Sequence, residues 1–249
     1  MRHFFVAAFI AACSHPSAPT SVTGPAATAR GAAPVAAGRV DERFEYQVRA
    51  DYFDGVRGDR AALERAIKVC EDTLAHHPDH VEAMVWHGAG LLARASFAFR
   101  AGDAASGMKQ YGQGLAEMDR AVELAPSNVG VRIPRGAVVL ATAPYVPEPE
   151  KSRLLQRGVA DYEVTLAAQA AYFSTLTLHA REQLLYGLAD GYASLGDPTR
   201  ARAYAERMTT DAAGSVLIAR AGARAAGLAV TGDTPCLQCH GRASRASRR

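Results

Sequence analysis

The chain has 249 residues, 49% of them hydrophobic, and a formal net charge of +3. That length holds one or two domains with a sizeable core. The charge is too small for a nucleic-acid binder and much of it sits in the closing "GRASRASRR". Alanine supplies much of the apolar fraction, while aromatic and β-branched residues are sparse, so the composition leans all-α.

The chain opens "MRHFFVAAFIAAC". Arg2 and His3 precede an apolar run from Phe4 to Ala12, then Cys13. The run is too short to span a bilayer, which takes about 20 apolar residues, but it suits a signal segment. Ile10-Ala11-Ala12-Cys13 resembles the box that ends a bacterial lipoprotein signal. The resemblance implies that residues 1–12 are removed and that Cys13 becomes a lipidated N-terminus, an anchor that does not span the membrane. It places the protein in a bacterial cell envelope, on the periplasmic side or at the outer membrane. Residues 13–39 continue as Ser, Pro, Thr, Ala and Gly without large apolar side chains. Such a stretch cannot bury enough surface to fold and is expected to be a disordered tether.

From 40 to 228 apolar residues recur at helical spacing, and no run alternates with period two. "DRAALERAIKVCEDTLAHHP" puts Leu63, Ala66, Ile67, Cys70 and Leu74 on one face, with Asp59 as N-cap and Pro78 as stop. Further helices are expected in "DHVEAMVWHGAGLLARASFAF", "GMKQYGQGLAEMDRAVELAP", "DYEVTLAAQ", "HAREQLLYGLADGYASLG" and "DPTRARAYAERM". In the last, Asp197 caps and Pro198 fills the first turn. Pro134, inside an apolar run, is expected to kink or restart its helix.

"HPDHVEAMVWHGAGLLA" and "APSNVGVRIPRGAVVLA" repeat one another. Pro78 aligns with Pro126, Val81 with Val129, Gly88 with Gly136, and Leu92-Ala93 with Leu140-Ala141, at a constant offset of 48 (78 to 126). A fixed period of that size signals stacked units, none of which can bury its apolar face alone. "LLYGLADGYASLGDPTRARAYAERM" resembles a tetratricopeptide repeat, through Ala189, Tyr192, Gly196, Ala201 and Ala205. Ala66 and Cys70 match its second helix, and Gly88 and Gly136 match the small residue of its first. The family's period is about 34 residues, so the wider spacing here calls for longer helices or an insertion near "FAFRAGDAASG". The resemblance covers most of residues 59–208. It implies an all-α stack of helical hairpins, a tetratricopeptide-like solenoid, whose first helices line a groove for a protein or peptide partner. Carried over, the groove positions are Glu82, Val85, Ala89 and Leu92; then Ile133, Ala137 and Leu140; then Gln183, Tyr186 and Asp190. Most are apolar, which suits a hydrophobic helix or extended segment.

The basic tail, residues 229–249, carries Cys236-Leu237-Gln238-Cys239-His240. The C-x-x-C-H spacing is that of covalent haem attachment, with two thiols for the vinyl groups and His240 as axial ligand to the iron. A disulfide or redox pair on Cys236 and Cys239 is the other reading. Zinc is disfavoured, since three donors fall short of the usual four. No second axial ligand is marked nearby; Met208 and His179 are the nearest Met and other His.

No other constellation outranks a structural reading. His76, His77, His80 and His87 are interrupted by Pro78 and make no H-E-x-x-H. Phosphate loops and G-x-S-x-G elbows are absent from the sequence. Acidic residues such as Glu71, Asp161 and Glu163 read as solvated helix surface. Arg132 and Arg135, beside Pro134, read as surface arginines or as a notch for a carboxylate or phosphate. The sequence therefore points to a non-enzymatic, lipid-anchored scaffold or adaptor, with a c-type haem carrier as the alternative and a small hydrolase using His87 or His179 as the third reading.

Overall fold

The computed structural model describes residues 43–230. Among them the regular structure is helical throughout. Nine α-helices follow one another: α1 (Glu45–Val56), α2 (Arg60–His76), α3 (Val81–Arg100), α4 (Ala104–Leu124), α5 (Val129–Thr142), α6 (Glu150–Gln169), α7 (Leu178–Ser194), α8 (Pro198–Asp211) and α9 (Ile218–Ala225). Short 3₁₀ turns follow α5 and α6.

The helix starts are written into the sequence. Asp59, Asp103 and Asp197 each accept a hydrogen bond from the backbone N–H three residues on, at Ala62, Ser106 and Arg200. His80 and Thr177 cap α3 and α7 in the same manner, and Asn128 caps α5 by accepting from the N–H two residues on, at Gly130. Such a side-chain cap is worth about 1 kcal/mol to a helix. Gly102 (φ 82°) and Gly196 (φ 78°) occupy the left-handed region where α3 and α7 turn back, a conformation that any side chain would strain.

Consecutive helices pack as antiparallel pairs: α1 with α2, α3 with α4, α5 with α6, α7 with α8. Along the row, α3 also packs on α1 and α5, and α9 packs on α7 and α8. The pairs begin at residues 45, 81, 129 and 178, so they are 36, 48 and 49 residues apart (45 to 81, 81 to 129, 129 to 178). The spacing of 48 comes from long helices. The 20 residues of α3 and 21 of α4 are joined by the three-residue turn Ala101–Asp103, which leaves no room for an insertion.

Glycine sets the closeness of the pairs. A Cβ on Gly88 would stand 2.6 Å from the carbonyl oxygen of Gly114, and one on Gly158 would stand 3.0 Å from that of Gly136. The α3–α4 and α5–α6 seams are thus built alike. Between pairs, Gly90 admits Ile67 and Gly187 admits the ring of Tyr162, each closer than a Cβ would tolerate.

Two apolar clusters result. The first gathers Tyr52, Leu63, Ile67, Trp86, Leu92, Met118, Val138 and Leu154 from α1–α6. The second gathers Ile133, Tyr162, Leu184, Leu188, Tyr192 and Met208 from α5–α8 and adds Ala221 and Ala225 of α9. Each fully buried Leu, Ile or Met contributes about 1.5–3 kcal/mol. The two clusters meet at α5, which is buried at Val131 and from Ile133 to Val139. Its Pro134 does not break it: α5 runs unbroken from Val129 to Thr142, correcting the expected restart. Packing on both flanks over-determines a helix that its own hydrogen bonds leave one short.

Candidate functional site

Cys13, Cys236, Cys239 and His240 lie outside the described residues, as do the signal and tether segments and all of the tail beyond Val230. The groove positions lie within them, and most are not open. Val85, Ala89, Leu92 and Ala137 are at most 2% exposed, and Ile133 is also buried. The physical reason is packing by neighbouring helices, α5 against α3, and α6 against both α5 and α7. Val85, Ala89 and Leu92 join the first cluster with Val131 and Val138 of α5, while Ile133 and Ala137 join the second with Leu184 and Leu188 of α7. Those five side chains are therefore seam residues, and the expectation that they line a free groove is corrected.

The remaining positions are partly engaged. Glu82 is half-buried against Gly130 of α5, and Leu140 is half-buried against Gly158 of α6. Gln183 is buried, and its Nε2 has no hydrogen-bond partner. Tyr186 and Asp190 are taken by α9: Arg220 Nε donates to the Tyr186 hydroxyl at 2.9 Å, and Arg224 pairs with Asp190 while donating to Ser194 Oγ at 2.8 Å. Burial, then the neighbouring Asp190 carboxylate, holds the Tyr186 phenol above its ordinary range. α9 thus covers these two positions of α7.

The arginine notch exists, and the protein fills it with its own carboxylate. Arg135 Nε and Nη2 donate to the two oxygens of Asp161, each at 2.7 Å, and Arg132 Nη1 adds a third bond at 2.7 Å. Arg135 Nη1 reaches Asp119 at 2.9 Å, and Arg157 closes on Asp119 at 3.3 Å. Asp161 is fully buried, which corrects the surface reading of that residue. A forked guanidinium suits a carboxylate in this geometry, and the triad ties α5 to both α4 and α6. Burial alone would lower the Arg135 pKa; the bonds to Asp161, with Asp119 beyond, outweigh it and raise it.

Glu163 is likewise no idle surface acid. It accepts from the Tyr192 hydroxyl, which also receives Arg200 Nη1 at 3.0 Å. The Arg200 guanidinium lies 4.1 Å over the Tyr192 ring, whose other neighbour, Tyr204, stacks at 5.8 Å. Burial, then the bond to Glu163, pushes the Tyr192 phenol up to about 12.

The histidines divide. His76 bonds the backbone carbonyl of Asp72, and His80 caps α3, so both serve helix ends. His87 is buried between α2 and α4. Its Nδ1 lies 2.5 Å from Glu117 Oε2, and its Nε2, without a hydrogen-bond partner, lies 3.8 Å from Glu71 Oε1. Gln113 Nε2 holds the other Glu117 oxygen at 2.9 Å. Cys70 is buried beside the same carboxylates; burial first, then Glu117 and Glu71, pushes its thiol far up and keeps it an unreactive S–H. His179 sits 3.3 Å from Glu182. Among the described residues no group of three His, Cys, Asp or Glu could hold a metal ion. No helix among them is long and apolar enough to cross a membrane.

These features define the class of protein: an all-α row of paired helices whose polar clusters tie helix to helix. Compared with models of known protein families, with curated proteins and with solved structures, the chain has no match.

Proposed function

We propose that this chain is an exported, lipid-anchored, tetratricopeptide-like protein that acts as a scaffold or adaptor in a bacterial cell envelope and binds a protein or peptide partner. The observation that carries this reading is the recurring seam, Gly88 on Gly114 and Gly136 on Gly158, in a row of antiparallel pairs. It supports the repeat resemblance, because small residues at those two first-helix positions are the family's mark. With the apolar groove positions absorbed into seams, the partner is expected to contact outer surfaces of the row. Cys13 anchors the chain, and residues 13–39 span the distance to the folded part.

The experiment is metabolic labelling with a palmitate analogue in a bacterium that processes lipoproteins, followed by membrane fractionation and cross-linked capture. Wild type should label, fractionate with membranes and cross-link to a partner. A Cys13→Ser variant that still labels and still fractionates with membranes would refute the anchor. Failure of the folded, anchored protein to cross-link reproducibly to any partner would refute the scaffold.

The C-x-x-C-H motif favours a second reading, a c-type haem carrier attached at Cys236 and Cys239 with His240 as axial ligand. The donor set fits covalent attachment. Neither nearest candidate for a second ligand is well placed: Met208 is buried in the second cluster, and His179 is held beside Glu182. An absorption spectrum of protein made in cells competent for haem attachment decides it. A Soret band lost in Cys239→Ser supports the carrier, and colourless wild type removes it.

A further inference from the structure

His87 is nine-tenths buried where the first helix pair meets the second, and the scaffold reading makes no use of it. Its two nitrogens are treated differently. Nδ1 has a close partner, Glu117 Oε2 at 2.5 Å, held in place through Gln113. Nε2 is buried without a hydrogen bond, and the carboxylate oxygen Glu71 Oε1 of α2 lies 3.8 Å from it. Glu71 is half-exposed, so its carboxylate has room to swing the remaining distance.

With Nδ1–H donating to Glu117, a neutral imidazole leaves a lone pair at Nε2, and no donor meets it. A buried unmet polar atom costs about 1–3 kcal/mol. A second proton converts that atom into a donor facing a carboxylate, and the new bond is charge-assisted at both ends. We infer that His87 is a proton-operated clasp: on protonation it binds Glu71 of α2 through Nε2 while keeping Glu117 of α4 through Nδ1, so that α3 ties the first helix pair to the second.

The surroundings are consistent with one proton acting there. α2 contributes Glu71 and Cys70, whose thiol stays protonated. α4 contributes Glu117. α1 meets α3 through the uncharged Tyr52, edge-on to Trp86 at 5.4 Å. On α5, Arg132 and Arg135 are committed to Asp161, and Arg135 to Asp119 as well. No cation among these competes for the two glutamates.

Trp86 is the single tryptophan of the chain, adjoins His87 and touches α1, so its fluorescence reports docking of the first pair. The test is urea unfolding of the full chain, followed by that fluorescence and by circular dichroism, at about pH 8 and about pH 5.5. Wild type, His87→Gln and Glu71→Gln are compared. On acidification, wild type should gain on both variants by roughly tenfold in the unfolding equilibrium constant. At the higher pH, wild type and Glu71→Gln should lie close together. Should His87→Gln lose its helicity, Glu71→Gln decides alone, because that side chain is half-exposed and its one ion-pair neighbour among the described residues is His87. Parallel shifts of all folded proteins between the two pH values would overturn the clasp.

Discussion

Gly88 of α3 and Gly114 of α4 meet backbone to backbone: a Cβ on either would stand 2.6 Å from the carbonyl oxygen of the other. Nothing there can swing aside, since one partner in each contact is main chain. Gly88→Ala should therefore destabilise the fold by about 1–3 kcal/mol, overpacking outweighing alanine's better helix propensity. Gly112, also in α4, has nothing within 4 Å of its Cβ position. Gly112→Ala should stabilise by up to about 1 kcal/mol. Urea midpoints of the two variants should move in opposite directions; a shared direction would deny the seam.

Asp161 is the only acid bonded to both Arg132 and Arg135 among the described residues, and it is fully buried. Removing it takes the carboxylate from Arg132 and the forked pair from Arg135, which keeps only Asp119. Asp161→Ala should cost about 3–5 kcal/mol, as broken buried pairs do. Lys68→Ala tests the contrast, since its pair with Asp72 is exposed at both ends and should cost far less. Thermal unfolding by circular dichroism ranks the two.

The Tyr52 hydroxyl is wholly buried and has no hydrogen-bond partner, and burial pushes the phenol far above its ordinary value of 10.0. A folded-state value raised in this way gives a contribution that is whole below the unfolded value and lost as pH climbs past it. Wild type should thus lose stability above about pH 10, where only the unfolded phenol ionises. Tyr52→Phe should be neutral to mildly stabilising at neutral pH and should resist alkaline unfolding better. Unfolding midpoints at about pH 8 and about pH 10.5 measure the difference.

Cys70 is 1% exposed, with its thiol held protonated. Native protein treated with iodoacetamide at about pH 8 should stay unmodified there, and the same residue should react once urea unfolds the chain. Peptide mapping by mass spectrometry reads both outcomes. Labelling of Cys70 in the folded protein would contradict its burial.

Local signals were legible in the sequence and distant ones were not. The caps Asp59 and Asp197, the glycine turn at Gly196 and the buried face Leu63, Ala66, Ile67 and Cys70 each depend on neighbours within a turn or two. The offset of 48 aligned Val81 with Val129, and these are the first residues of α3 and α5. α6 starts at Glu150, earlier than apolar spacing suggested, because the stretch after Pro149 is mostly polar and charged. Asp161 looked like surface because its partners lie 26 and 29 residues away, beyond any helical periodicity. The groove failed for a related reason. Spacing shows that Val85 and Ala89 share a face, but only the lateral approach of the next helix shows that the face is occupied.

α9 is short, yet its position bears on how the molecule behaves in a crowd. Open-ended helical arrays carry a vacant berth at the terminus, and identical copies can dock there head to tail and grow into filaments. Here Arg220 and Arg224 moor α9 onto Tyr186, Asp190 and Ser194, so that berth is already occupied from within. Two arginines on one short helix thus keep that face of α7 from standing open.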